Sequence, residues 1–462
     1  MKAKRPVIAV FDIGKTNKKL LVFDTEYRLI QEEMVSFPEA ADDEGFPCED
    51  IDALEGWIFT QLQSLQRSEE LSLKAINFST YGASLVYINH AGERIAPLYN
   101  YLKPYPQDLM ERFVQAYDTD GGLSVDTASP LMGHLNTGMQ LYWLKHQHPA
   151  LYEEVSSVLH FPQYLSYRLT GKITSEMTNV GCHSAMWHFS GKRYHDWLKK
   201  EGIDQKLLPV ASGKQAYVIQ KNGNRIVTGI GLHDSSAAVI PYLMSFSEPF
   251  VIVSTGTWTI SLNPFNKALS DRQEISNGCL SYLTYEGDPV KVSMLFAGHD
   301  HDQQLKRIAE HFNLQTDYFK HLSYSRNWAE IINSTPEDDK FISLKKHIDS
   351  PTGSCVFHLR ELDLFQTAEH AYHRLVLDII ERQAIATRVV MRARPVKKMY
   401  VDGGFSKNSI YMTMLSEAFA DMEVYSSSMV QGTALGAALA IHSSWNEHPL
   451  PADLVTLKRW KT

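Results

Sequence analysis

The chain is poor in cysteine, with four in 462 residues: Cys48, Cys182, Cys279 and Cys355. None stands at C-x-x-C spacing and they are scattered along the length, so neither a disulfide framework nor a zinc motif is expected. Buried free thiols in a reducing compartment are the expectation. Positive charge is short as well. Lys plus Arg is 45 against 53 Asp plus Glu, a net charge of −8. The basic footprint of non-specific nucleic-acid binding is missing, and so is attraction to an anionic membrane surface. A few local cations can still hold an anionic substrate in an acidic protein. Nothing approaches the ~20 apolar residues of a membrane span. The run Val7–Phe11 that follows the basic start ends at Asp12, short of the ~7–15 residues of a signal-peptide core. Low-complexity linkers are absent. These absences point to a cytoplasmic protein with no nucleic-acid and no membrane partner. What the chain does have is apolar (44%) and aromatic (11%) material, enough for several cores and against intrinsic disorder. Its length predicts about two to four domains.

Two segments share a plan. Val7–Phe11 is apolar, Asp12–Lys19 is polar with one glycine, and Leu20–Phe23 is apolar again. Phe250–Val253, Ser254–Thr259 and Ile260–Leu262 repeat the pattern about 240 residues later. Both read as hairpins with polar tips, and the repetition predicts a duplicated domain with a ligand between the halves. Gly14-Lys15-Thr16 imitates the end of a P-loop. The glycine that motif needs five positions earlier is Ala9, and the loop returns to a strand instead of entering a helix, so the P-loop is rejected. A hairpin phosphate clamp remains. Backbone N–H groups at a tight tip face anionic oxygens, Thr16 and Asn17 add side-chain donors, and Lys15, Lys18 or Lys19 adds charge. Asp12, at the strand end, is placed to orient a hydrated Mg²⁺. Ser254–Thr257 offers similar donors in the second hairpin.

Between the hairpins the spacing predicts helices. Asp52 and Glu55 resemble a capping box ahead of Leu54, Trp57, Ile58, Leu62 and Leu65. A second apolar stripe covers 367–392, and 320–360 reads as a polar surface excursion. With strands and glycine turns in between, the class is α/β. The boundary falls in the Pro241–Pro249 stretch, dividing the chain into 1–243 and 244–462.

Two turns carry candidate chemistry. Asp234 follows a strand and opens the small-residue helix Ala237–Ile240, where it can accept the proton of an attacking hydroxyl, or simply cap its helix. His233 beside it is read as a sugar hydrogen-bonder. Gly403 and Gly404 let backbone approach a flat ligand closely. The run Gly298–Asp302 contains two His and two Asp, but neighbouring positions point in different directions, which argues against a metal cluster.

The ordered set Asp12-x-Gly14, His233-Asp234-Ser235, Ser254-Thr255-Gly256-Thr257-Trp258, Gly403-Gly404 and Leu435-Gly436-Ala437-Ala438-Leu439 resembles the FGGY family of carbohydrate kinases, over about residues 7–442. The resemblance implies two ribonuclease-H-like domains of the actin/hexokinase/Hsp70 superfamily with an interdomain cleft. It also implies ATP and Mg²⁺ and a small-molecule sugar substrate. Asp234 matches the catalytic base. Asp12, Gly14, Thr16 and Asn17 match the first phosphate motif, with Lys19 at a position usually basic. Thr255, Gly256 and Thr257 match the second phosphate motif, and Gly403, Gly404 and Asn408 match the adenosine motif. Thr80, Tyr81, Gly82 and Ala83 match the loop that lines the sugar site, which Tyr101 and His233 extend. Phe405 stands where a third glycine is common, Lys15 replaces a small residue, and Tyr99, Tyr101, Lys103 and Tyr105 stand where an acid and an arginine are often found. Within the family the His-Asp-Ser and Ser-Thr-Gly-Thr-Trp motifs are most similar to rhamnulokinases, with fuculokinases near. The expected substrate is a ketose, L-rhamnulose ahead of L-fuculose, with Tyr81, Tyr99 and Tyr101 as walls for a methyl group. The alternatives are a kinase for xylulose or glycerol, or a non-sugar ATPase of the same superfamily. The oligomeric state stays open, a homodimer included.

Overall fold

Val7 to Phe11 is uninterruptedly apolar and fully buried, as a strand covered on both faces requires. In the computed structural model, which describes residues 3–221, 223–328, 330, 355–427 and 431–460, this run forms β1 (Arg5–Ile13). It turns back antiparallel into β2 (Lys18–Asp24), which pairs antiparallel with β3 (Leu29–Val35). On its other side β1 runs parallel to β4 (Leu71–Thr80). The outer strands are β5 (Ala216–Lys221) and β6 (Asn224–Gly229), antiparallel to each other, with β6 parallel to β4. The short β7 (Leu232–His233) pairs parallel with the end of β4. The order is β5-β6-β4-β1-β2-β3.

Helix α1 (Ile51–Arg67) buries Ile51, Leu54, Ile58, Leu62 and Leu65 in the same core as Phe11 and Phe78. Its cap is not the expected Asp52–Glu55 box. Asp50 caps it, accepting from the Ala53 N–H at 2.9 Å, and Glu55 instead pairs with Arg168 at 2.9 Å. The helix Gly432–Ala440 is built of small residues because it lies close against its neighbours. A Cβ on Gly436 would stand 1.8 Å from the Ala237 carbonyl oxygen.

The second hairpin is β8 (Phe250–Thr255) and β9 (Thr259–Asn263). After it come β10 (Cys279–Leu283), β11 (Pro289–Leu295), β12 (Lys398–Gly403), β13 (Glu423–Ser427) and β14 (Leu457–Trp460). The order is β10-β11-β9-β8-β12-β13-β14. Read outward from each hairpin, the two sheets match in direction as well as order. β8 is antiparallel to β9 and parallel to β12, β12 is parallel to β13, and β13 carries an antiparallel outer strand, just as β1, β2, β4, β6 and β5 do. The sheets therefore share one topology. The helix Ala368–Met391 buries Leu375, Ile379 and Val390 in the core that holds Val251, Val253 and Val401.

The chain divides into two compact units: Met1–Ser245 with Ser281–Pro289 and Gln431–Leu454, and Phe246–Leu280 with Val290–Val430 and Val455–Thr462. The division differs from two contiguous halves at 243/244 in that two later segments return to the first unit. Most of the segment 320–360, namely 331–354, lies outside the described residues.

Candidate active site

In the first unit, the parallel register places Asp12 beside Ser79, and Thr80 between Ile13 and His233. Asp234 follows His233 as the first residue of the helix Asp234–Ala237. Two acids thus leave the carboxyl ends of parallel strands on either side of β4, the position at which α/β sheets bind ligands. Asp12 Oδ2 accepts the Thr433 hydroxyl at 2.7 Å. Burial pushes the Asp12 carboxyl up to about 6, with the Thr433 hydrogen bond opposing and the Asp234 charge reinforcing. Burial also raises Asp234 to about 6 against the Ser235 hydrogen bonds. Asp234 does not cap its helix: His233 holds that position, and Asp234 Oδ1 accepts the Ser235 N–H at 2.6 Å. His233 Nε2 lies 3.2 Å from the same oxygen. Burial depresses His233 to about 4, so near neutrality the ring is uncharged and its Nε2–H donates.

The hairpin tip is closed by the Gly14 N–H donating to the Asn17 carbonyl at 3.0 Å, with Thr16 and Asn17 exposed. Of the three lysines, Lys18 is buried in a pair with Glu49 at 2.7 Å, and Lys19 reaches Glu32 at 3.1 Å. Lys15 lies 3.4 Å from Glu39 and 5.8 Å from the centre of the Tyr81 ring.

The loop after β4 folds against the same acids. Gly82 faces His233 so closely that a Cβ there would stand 2.8 Å from Nε2. The Tyr81 hydroxyl donates to Glu49 at 3.2 Å and its ring lies 6.1 Å from that of Tyr101. Thr80 is fully buried, its hydroxyl donating to the Tyr81 carbonyl at 2.9 Å. Ala83, at φ 57°, accepts Gln140 Nε2 at 2.7 Å. Burial and the Asp234 charge raise Tyr101, which places its phenol within the field of the acid. Tyr99 does not join this wall. It sits in a separate core, 4.8 Å from Trp143, with its hydroxyl on Asp43.

In the second unit a cavity of about 600 Å³ is lined by Thr255, Gly256, Thr257, Gly404, Phe405 and Asn408, among others. Gly403 is not among its lining residues. At φ 82° it lets β12 approach β8, where a Cβ would stand 1.9 Å from the Thr255 carbonyl oxygen. The Thr255 hydroxyl is engaged within the turn, donating to the Asp402 carbonyl and accepting from the Phe405 N–H at 3.0 Å. Asn408 caps the helix Ser409–Ala418 through Oδ1 and donates Nδ2 to the Tyr372 hydroxyl at 2.8 Å. Phe405 occupies the position of the third glycine, stacked 4.6 Å from Tyr411 and edge-on to His301 at 5.2 Å. The side chains of His299–Asp302 diverge: Asp300 accepts the Cys355 N–H at 2.5 Å, and His301 Nε2 lies 3.1 Å from the Tyr372 hydroxyl.

The profile of the FGGY family of carbohydrate kinases, N-terminal domain, matches residues 7–240. The chain belongs to this family. A rhamnulokinase of Yersinia pestis (strain Pestoides F) is 26% identical to this FGGY kinase over 383 residues, 80% of this chain and 75% of the relative. An L-fuculokinase of Salmonella typhi is 24% identical over 272 residues, 56% of each chain. Two solved structures share the fold. A carbohydrate kinase from Novosphingobium aromaticivorans matches with TM-score 0.76 and 19% identity over 98% of this chain and 96% of its own. A xylulose kinase from Lactobacillus acidophilus matches with TM-score 0.76 and 15% identity over 99% and 94%. The FGGY kinase therefore has the two-domain actin/hexokinase-like fold. It is a phosphotransferase with an alcohol acceptor and uses ATP and a sugar as substrates. Among the described residues no helix is long and apolar enough to cross a membrane.

Sequence reasoning missed Thr433, the Cys182–His183 pair beside His233, and Tyr372, which joins Asn408 to His301. Thr433 stands two residues before the Leu435-Gly436-Ala437-Ala438-Leu439 motif and outside it. Nothing in the sequence links the others to their partners.

Proposed function

We propose that this kinase phosphorylates a ketose on the terminal hydroxyl nearest its carbonyl, L-rhamnulose ahead of L-fuculose. The observation that carries the reading is Asp234, a part-exposed carboxylate raised to about 6 at the carboxyl end of a parallel strand. A base so tuned is ionised at neutral pH and still basic enough to take the proton of an attacking hydroxyl. His233 holds its Oδ1 and Ser235 fixes its orientation. The Tyr81 and Tyr101 rings offer the apolar surface that a 6-deoxy sugar needs for its methyl, and the Tyr101 hydroxyl reaches for a sugar oxygen. One methyl separates substrates by only about 1–3 kcal/mol, so discrimination among ketoses is modest. The rhamnulokinase and L-fuculokinase relatives support the same class.

Asp12 and Thr433 present an all-oxygen donor set, with a carboxylate whose charge costs energy while uncompensated. That set fits Mg²⁺. Bound there, Mg²⁺ would neutralise charge on the transferring phosphate. In the first hairpin, Thr16 and Asn17 donate to phosphate oxygens. In the second unit, the Gly256 and Thr257 backbone does the same, and Gly404 and Phe405 receive the adenosine. Thr255, Gly403 and Asn408 hold that turn in shape.

The test is ATP consumption by purified protein with Mg²⁺ against L-rhamnulose, L-fuculose, D-xylulose and glycerol. The two 6-deoxy ketoses should be turned over fastest. Ready phosphorylation of glycerol or D-xylulose with both 6-deoxy ketoses untouched would overturn the substrate.

A further inference from the structure

Cys182, His183 and His233 are all buried, and a ligand atom from each lies within 4.8 Å of the other two. We propose that these three side chains form a site for a thiophilic divalent cation, Zn²⁺ by its donor set, and that filling it shuts off transfer at the adjoining Asp234. The binding half stands on the cluster alone. The inhibitory half rests on the reading of Asp234 as the base.

The cluster is held by a scaffold that leaves donors facing inward. Glu176 accepts the N–H groups of Thr178 and Asn179, at 2.8 and 3.2 Å. Thr178 Oγ1 in turn accepts the His233 N–H at 3.0 Å, and the Asn179 carbonyl receives the Cys182 thiol at 3.2 Å. His183 Nδ1 lies 2.9 Å from the Leu135 carbonyl oxygen. It therefore carries the proton, and Nε2 keeps its lone pair, the tautomer and anchoring of a metal-bound imidazole. His183 sits at φ 27°, a conformation a side-chain-bearing residue adopts only when its surroundings impose it. His233 Nδ1 is buried without a hydrogen-bond partner, which leaves a polar atom of the cluster unsatisfied. Gly82 makes room: a Cβ there would stand 2.8 Å from His233 Nε2 and 3.6 Å from Cys182 Sγ.

One thiol and two imidazoles make a soft, three-ligand set that selects Zn²⁺ over the oxygen-seeking Mg²⁺. Capture forms one metal–sulfur and two metal–nitrogen bonds and releases the thiol proton to solvent. The cluster adjoins Asp234, whose Oδ1 is 3.2 Å from His233 Nε2. A cation held by the Nδ1 lone pair of His233 makes that ring a stronger Nε2–H donor and puts positive charge beside Asp234, so the carboxylate loses basicity toward the attacking hydroxyl.

Co²⁺ is the probe, because its thiolate charge-transfer band reports sulfur ligation without any turnover. The full-length protein in Mg²⁺ buffer should develop that band up to one equivalent of Co²⁺ and lose it on adding Zn²⁺. Cys182→Ser should abolish it, with His183→Gln as a second variant should the first fail to fold. No band, or a band unchanged in a folded variant, overturns the site. In parallel, Zn²⁺ should abolish MgATP-dependent turnover of the wild type, reversibly on chelation, and Cys182→Ser should resist. Co²⁺ binding without any Zn²⁺ effect on turnover overturns the inhibitory half, and with it the placement of the base beside the cluster.

Discussion

The Thr433 hydroxyl lies 2.7 Å from Oδ2 of Asp12, a contact between residues 421 positions apart. It is one of the few interactions that favour the charged form of an acid that burial pushes up to about 6. Thr433→Val keeps the shape and removes the donor. Asp12 should then titrate higher still and hold less negative charge at neutral pH. A hydrogen bond to a charged group is worth about 1.5–3 kcal/mol, so the Mg²⁺ concentration for half-maximal activity should rise about tenfold or more. An unchanged Mg²⁺ dependence would remove this pair from metal binding.

Asp234→Asn should cut turnover by about 10²–10⁴, the share general-base catalysis supplies, while sugar and ATP still bind by calorimetry. In the wild type, kcat/KM should fall as pH drops through about 6, because the base must be ionised to accept a proton. Asp12 and Asp234 interact, so that limb belongs to the pair as a whole. A folded Asn variant with near-normal turnover would show that the proton goes elsewhere.

The same substitution should stabilise the protein. Asp234 titrates at about 6 when folded, against an ordinary value of 3.8. Folding therefore favours its protonated form, and its ionisation costs stability above pH ~6. Asparagine removes that cost. At pH 7.5 the variant should gain about 1–2 kcal/mol after solvent screening, and the gain should shrink as pH falls from about 6 toward 4. A variant less stable than the wild type across that range would mean that the carboxylate is better satisfied than its surroundings indicate.

Both hairpins were legible because an apolar run, a polar tip with one glycine and a second apolar run leave few alternatives. The place of Asp234, after a short strand and at the head of a helix, was legible too; its role as the base is our proposal. What escaped was set by which of several competing hydrogen bonds each side chain makes, local or tertiary. Asp50 rather than Asp52 caps α1 because its carboxylate is the one that reaches the Ala53 N–H. Tyr99 belongs to another core because Trp143 and Asp43 take its ring and hydroxyl. Thr255 and Asn408 have the donors a nucleotide site wants, yet the Thr255 hydroxyl is spent on the Asp402 carbonyl and Asn408 Nδ2 on the Tyr372 hydroxyl. The return of 281–289 and 431–454 to the first unit leaves no mark on composition, so a single cut looked sufficient.

The neighbouring glycines of the Gly403-Gly404 turn should respond differently to the same substitution. Gly403 sits at φ 82°, and a Cβ would stand 1.9 Å from the Thr255 carbonyl oxygen, a backbone atom that cannot swing aside. Gly403→Ala should cost about 2 kcal/mol or more, read as a lower unfolding midpoint. Gly404 has helical backbone angles, φ −62° and ψ −49°, and its nearest neighbour would be 3.9 Å from the new Cβ. Gly404→Ala should leave the midpoint unchanged or raise it slightly. Gly404 nonetheless lines the cavity, so its new methyl should meet the nucleotide and raise KM for ATP, with the KM for the sugar unaffected. An unchanged KM for ATP would mean that the nucleotide does not approach this turn, and an unchanged midpoint for Gly403→Ala would mean that β12 and β8 are not held this closely together.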